Sequence, residues 1–318
     1  MLLAATGARR RTRSLDLPPP PYTIPTTRPY NAPGALTIPT YDGSGQAVHP
    51  DVVDMRDHPW NGYRFWMGMT PYPYSNDDYE NPSILASNDA VTWVVPTGLT
   101  NPIYPFPGGD LWNADTDLSH DPTTGEMVLI FLGGGLGTMC ARSSDGVTWT
   151  TTGPLSFSAA LGSNSPAMLR EDDGSWSLWR NTGSSGGIPR TNYKYTAAQP
   201  EGPWTLAGPC TGLGAYTWHH DVIRHDGRYL KLIKDNQPYQ EWGATAIFTA
   251  TSSDGLAWTQ SAQPIIQQQG WARSGLYRPT FTIHENGTHA RVWYCGNANG
   301  VWRIGLTHVP LTEWPPSP

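Results

Sequence analysis

Only 14% of the 318 residues are charged, where an average domain has about a quarter. Disordered chains and coiled coils both need far more charge, so neither class fits. Cysteine is scarce too. Cys140, Cys210 and Cys295 stand far apart with no C-x-x-C pair, which points to neither a zinc knuckle nor a disulfide framework. No apolar run in the sequence approaches the roughly 18 residues of a membrane span. Met1-Leu2-Leu3-Ala4-Ala5 is too short for the apolar core of a signal peptide, and its basic residues follow it. Positive charge is also in short supply: 20 Lys and Arg against 26 Asp and Glu give a net charge of -6. Nucleic-acid phosphates would find no basic footprint. The main basic cluster, Arg9, Arg10, Arg11 and Arg13, reads as a solvated tail. Neither nucleic acid nor a membrane is an expected partner.

Turn-formers and aromatics are abundant instead, with 34 Gly, 31 Pro and 15 Trp. Gly and Pro each weaken helix interiors, so the composition predicts a loop-rich, all-β protein. Three segments are near copies: Ser87-Asn88-Asp89-Ala90-Val91-Thr92-Trp93, Ser143-Ser144-Asp145-Gly146-Val147-Thr148-Trp149, and Ser252-Ser253-Asp254-Gly255-Leu256-Ala257-Trp258. Two weaker copies end at Trp204 and Trp314, so the five tryptophans are spaced 56, 55, 54 and 56 residues apart. Each unit reads as four strands. In the fourth, the Asp226-Gly227 turn joins His220–Arg224 to the alternating run Tyr229–Ile233, and equivalent turns occur at Asn61-Gly62, Thr124-Gly125, Asp173-Gly174 and Asn286-Gly287. Five units of four antiparallel strands predict a five-bladed β-propeller over residues 41–318. Residues 1–40, with Pro18-Pro19-Pro20-Pro21, predict an extended N-terminal arm for anchoring or assembly. Within it, Ala35–Pro39 could donate an edge strand to the last blade.

The innermost strands of a propeller converge on its axis. Aligned on their hairpins, the five stretches place Asp51, Asp117, Ala167, Asp221 and Thr280 in one column, with His49, His220 and Arg278 just before it. Converging carboxylates raise one another's pKa, which lets one stay protonated as an acid while another is ionised as a base. Glycoside hydrolysis needs such a pair. Asp51, Asp117 and Asp221 are therefore candidate catalytic residues, joined by Glu80 from the blade-one loop Ser75–Asn81 and more weakly by Glu241. His49, Trp112, Asp115, Trp218, His219, His220 and Arg278 are the candidate substrate-binding residues. Tyr216, Trp271 and Tyr277 are further aromatics available for sugar stacking. No cofactor is expected. A structural calcium ion at the axis, or a metal held by His219-His220-Asp221 with Asp117 or His49, is the alternative these donors allow.

The five-unit count, the Asp that starts the first unit, Asp117 in the second, and the Ser-Asp-Gly-x-x-Trp turns resemble the five-bladed glycoside hydrolases of the arabinanase, xylosidase and invertase kind. By that resemblance Asp51 would be the general base and Asp117 the carboxylate that tunes it. The family's acid, a Glu of blade three, has no counterpart in Asn164-Ser165-Pro166. The expectation is a propeller that binds and hydrolyses a cell-surface polysaccharide. The alternative is a non-catalytic propeller that recognises glycan as a receptor-binding or structural component. The Arg- and Pro-rich leader and the lack of an export signal fit a virion or bacteriophage-tail component that acts outside the cell and contacts other tail proteins through its arm.

Overall fold

The computed structural model describes residues 25–105, 112–161, 164–182, 189–236 and 245–318. The Arg9–Arg13 and Pro18–Pro21 clusters and Glu241 lie outside the described residues. Five antiparallel sheets form the five blades of a β-propeller, as the tryptophan spacing predicts. Blade one holds β1 (Ala47–Asp54), β2 (Phe65–Pro71) and β3 (Ser83–Ser87), and blade two β4 (Asn113–Asp121), β5 (Glu126–Gly133), β6 (Gly137–Ser143) and β7 (Thr150–Pro154). Blade three holds β8 (Asn164–Arg170), β9 (Trp176–Asn181), β10 (Asn192–Ala197) and β11 (Thr205–Pro209). Blade four comprises β12 (Thr217–His225), β13 (Arg228–Asn236), β14 (Thr245–Ser252), β15 (Thr259–Gln260) and β16 (Ile266–Gln267). Blade five holds β17 (Gly275–Ile283), β18 (His289–Ala298) and β19 (Val301–Pro310).

The four-strand rule is relaxed at the ends of the chain. In blades one and five the outermost strand shrinks to a single bridge, Ala86 with Val94 and Ala35 with Gly305. The second bridge is the edge that Ala35 was expected to supply, reinforced by the Leu36 N–H donating to the Ile304 carbonyl at 2.8 Å. Arg28 and Tyr30 pair with Glu313, tying the arm to blade five.

Second strands such as Phe65-Trp66-Met67 and Val128-Leu129-Ile130 are apolar on both faces because each blade is sandwiched between two others. Alternate side chains go to opposite neighbours. Phe65 and Met67 face blade five with Trp293 and Ile304, while Trp66 faces blade two with Leu129 and Phe131. The core is thus five apolar layers, one per blade interface.

The repeated turns explain the near copies in the sequence. In each, the Ser Oγ accepts the N–H three residues on, and the Asp Oδ1 accepts two further N–H groups: Val91 and Thr92, Val147 and Thr148, Leu256 and Ala257. The preceding blade inserts an indole beneath the turn. Trp179 Nε1 donates to the Gly255 carbonyl at 2.8 Å, and Trp293 Nε1 to that of Ala90 at 3.2 Å. Gly255 sits at φ +76°, and a Cβ there would stand 2.8 Å from Trp179 Cζ2. Gly255→Ala combines overpacking with a left-handed backbone, so it should destabilise the protein by about 1–3 kcal/mol. Urea denaturation at constant m-value checks this.

Candidate active site

All five innermost strands carry a bulge just before the column residue, as between Val48 and Asp51, Ala114 and Asp117, and Asn164 and Ala167. His49, Asp115 and Ser165 take φ of 54°, 53° and 50° there. Such strain in non-glycine residues is held only where the surroundings enforce it. The bulges help to stack two layers of side chains along the axis.

The deeper layer is the expected column. Asp51, Asp117 and Asp221 each present a carboxylate oxygen within 4.8 Å of the others, so the three acids do converge. Each is engaged with the next blade. Asp51 Oδ2 accepts the Leu118 N–H at 2.6 Å, Asp117 Oδ1 that of Met168 at 2.9 Å, and Asp221 Oδ2 that of Phe281 at 3.0 Å. Thr280 Oγ1 receives the Val52 N–H at 3.2 Å. Ala167 offers no acceptor, and Asp221 Oδ1 takes the Val222 N–H in its place at 2.6 Å. Arg278, fully buried, donates from Nη2 to Asp117 and to the Pro166 carbonyl, each at 2.8 Å. Burial pushes Asp117 up to about 8, with Arg278 pulling it down and Asp221 pushing it further up. Asp51 is lifted well above the usual carboxylate range by burial and then by the other two acids. Beyond this layer the opposite mouth of the channel opens into a cavity of about 510 Å³, lined by Asp51, Asp221 and residues such as Arg56, His120 and Thr282.

The upper layer lies two residues earlier, at the rim where the inner strands begin. His49, Asp115 and His219 offer ligand-type atoms within 4.8 Å of one another. His49 Nε2 stands 2.9 Å from Asp115 Oδ1, and His219 Nδ1 3.6 Å from the same oxygen. Ser165 Oγ, 2.7 Å from His219 Nδ1, orients that ring, and Thr70 Oγ1, 2.9 Å from His49 Nδ1, orients the other. The Nε2 atoms of both histidines are buried without an aligned hydrogen bond. Burial raises Asp115, but His49, His219 and Arg278 outweigh it and hold this carboxyl far below its usual range. Burial pushes His219 well below the ordinary histidine value, so its imidazole is neutral.

Glu80, following the short 3-10 turn Asp77–Tyr79, reaches into this layer, its Oε1 3.7 Å from His49 Nδ1. Burial, with Asp115 and Asp77 adding, raises it well above the usual carboxylate range. Trp218 stacks on His219 with ring centroids 5.5 Å apart, and the partly buried Tyr277 meets His219 edge-on at 4.0 Å.

Several candidates thus gather at the rim: His49, Asp115, His219, Glu80, Trp218 and Tyr277. Trp112 stands on the same rim, 43% exposed. Strand alternation turns His220 away from the axis, toward Asn181 and Asn192 between blades three and four. Trp271 packs against Gly296 and Gly305 and donates to the Ala32 carbonyl, far from the rim centre. Ser165 and Thr70, which orient the two imidazoles, are new. Their one signal in the sequence was the place of Ser165 in the inner-strand alignment.

No protein-family profile matches the chain. In an alignment of 332 positions that covers 83% of its length, it is 27% identical to the A type blood N-acetyl-alpha-D-galactosamine deacetylase of Flavonifractor plautii, and it spans 42% of that protein. Among solved structures, an N-acetylgalactosamine deacetylase from F. plautii in complex with blood group B trisaccharide superposes with a TM-score of 0.76 at 25% identity. That match covers 89% of this chain and 95% of the other. A thermostable family-43 glycoside hydrolase (TM-score 0.60, 17% identity, 89% of this chain and 98% of that one) shares the fold. So does an alpha-L-arabinofuranosidase from Lactobacillus brevis (0.58, 13%, 86% and 95%). The chain is therefore a five-bladed propeller related to carbohydrate-active propellers. Among these, a deacetylase stands nearer to it in sequence than the two glycosidases do.

The deeper layer prefers its protons. Its carboxyls are raised in the folded state, so the stability they contribute is full below the unfolded value near 4 and is lost as pH rises, for Asp117 through about 8. Asp51→Asn keeps an acceptor for the Leu118 N–H and removes one like charge. Its melting temperature should match that of the wild type near pH 4 and exceed it by several degrees at pH 8, as calorimetry would show.

Proposed function

We propose that this protein is a metal-dependent hydrolase that removes an acetyl group from an N-acetylated amino sugar of a glycan. The observation that carries the reading is the set of two imidazoles and one carboxylate, buried and convergent, with a proton-exchanging glutamate beside it. The donor set fits a divalent ion such as zinc: His219 is neutral, Asp115 is ionised, and among the described residues His219 Nε2 is buried with no hydrogen-bond partner. Ser165 and Thr70 supply the outer hydrogen bonds that orient ligand histidines. An ion bound there would supply Lewis-acid polarisation of the acetyl carbonyl and of water.

The chain's own groups account for the remaining steps. Glu80, with its raised carboxyl, takes a proton from the attacking water and delivers it to the amide nitrogen. The carbon–nitrogen bond then breaks to give acetate and the free amine. Tyr277 and Trp218 wall the centre and limit water access. The likeness to an N-acetylgalactosamine deacetylase in sequence and structure supports this choice of bond.

Cleavage of a glycosidic bond by Asp51, Asp117 and Asp221 is the reading this one replaces, because backbone amides, Thr280 and Arg278 already engage those carboxylates. The phage-tail placement adds nothing to the chemistry.

The test is incubation with N-acetylated amino-sugar oligosaccharides, following acetate release alongside new reducing ends. Acetate and free amine without new reducing ends are expected. Chelation should abolish release and zinc or another divalent ion should restore it, while Asp115→Asn and His219→Ala lower the rate by at least about a thousandfold. New reducing ends lost in Asp51→Asn but kept in Asp115→Asn would overturn the proposal.

A further inference from the structure

A second cavity, of about 410 Å³, opens on the same rim between blades five and one. Its position follows from the ends of strands: Tyr72 and Ser75 just after β2, Asn297 near the end of β18, Trp302 at the start of β19, with Ser274 and Thr245 closing the far side. Tyr72 and Trp302 form an aromatic corner with ring centroids 5.9 Å apart. The other four supply hydroxyl and amide groups. Among the described residues no charged side chain lines this cavity, so a uronic acid, a sialic acid or a phosphate would find no counter-charge. A neutral sugar ring, apolar on its faces and polar at its edge, matches both kinds of wall.

Two features join this cavity to the reaction centre. Tyr277 stands between them, its ring centroid 5.2 Å from that of His49 and 5.3 Å from that of Trp302. The segment from Tyr72 to Glu80 carries both a wall of the cavity and the proposed proton carrier. That segment is held under strain. Tyr74 and Ser75 take φ of 52° and 62°. Gln46 Oε1 accepts both the Tyr74 N–H at 3.1 Å and the Trp302 N–H at 3.2 Å, and Ser75 Oγ accepts the Trp302 indole N–H at 2.9 Å. Tyr74 itself projects outward, 75% exposed. Non-glycine residues keep left-handed backbone where the surrounding structure over-determines it.

We infer that this cavity is a recognition subsite for the neutral sugar next to the amino sugar being deacetylated, with Trp302 and Tyr72 as its platform and Asn297 as its polar contact. The inference rests on the proposed deacetylase reading, and the one-ring offset from His49 determines which sugar it holds. The reacting acetamido group belongs at the centre, and the adjoining residue of the chain falls against Trp302.

Gly275 provides a clean probe. It lines the cavity at the start of β17, its φ is not left-handed, and a Cβ there would meet only the Asn297 Cβ at 3.9 Å. Gly275→Phe therefore fills the subsite without backbone strain, and Gly275→Ala, which leaves it open, controls for folding. The substrates are a methyl glycoside of N-acetylgalactosamine and a neutral trisaccharide ending in N-acetylgalactosamine. Gly275→Phe should raise KM for the trisaccharide about tenfold with kcat unchanged, and leave both constants for the methyl glycoside within about twofold. Equal losses on both substrates, or no change on either, would overturn the subsite. A tryptophan-fluorescence titration with the trisaccharide under chelation separates the two readings. Saturable quenching in the wild type and in Gly275→Ala, shifted to about tenfold higher trisaccharide in Gly275→Phe, supports the subsite even if no acetate is ever released. A wild type without saturable quenching overturns it.

Discussion

The molecule depends on bonds that run around its axis between one blade and the next. Asp51, Asp117, Asp221 and Thr280 each hold a backbone N–H of the following inner strand, which links blade one to two, two to three, four to five, and five back to one. Inner strands near a propeller axis cannot pair with their neighbours as a sheet does, so their amides would otherwise be buried without partners. An orphaned buried amide costs about 1–3 kcal/mol. Side-chain oxygens at one column position solve this problem with one residue per blade. Between blades three and four, where Ala167 offers nothing, Asp221 satisfies the orphan from its own strand.

The same ring sets the electrostatics of the layer above. Burial raises all three deeper carboxyls above their usual range, and the buried Arg278 among them pulls each partway back down. Asp115, two residues nearer the rim, is then the carboxylate that stays ionised, because His49 bonds to it at 2.9 Å and the guanidinium lies close by. Chemically similar side chains are thus sorted by depth: the deeper acids bond backbone amides of the next blade, while Asp115 faces two imidazoles. Glu80 adds a third kind of acid, one brought from a loop and raised well above the usual carboxylate range by burial. Left-handed backbone at His49, Asp115 and Ser165 and at Tyr74 and Ser75 shapes the chain around this site.

Much of this was legible beforehand. The tryptophan spacing revealed five blades because in three of them the turn closes on a Ser and an Asp just before the repeated tryptophan, which leaves a local signature. The column Asp51, Asp117, Ala167, Asp221, Thr280 followed from aligning hairpins, and Glu80 followed from the placement of its loop. The roles did not follow. One strand holds His49 beside Asp51 and another holds Asp115 beside Asp117, and nothing in those short runs tells which side chain bonds an amide and which faces an imidazole.

By itself, the amino-acid order determined the number of blades, the identity of the converging acids and the rim from which Glu80 approaches, since each is written in local turns and in alternation along one strand. Only the tertiary structure decided the division of labour between the two axial layers and the cavity beside them. Bulges re-aim the inner strands, and ring closure brings Tyr72 of the first blade against Trp302 of the last. Both arise from contacts between residues far apart in sequence, which no local pattern encodes.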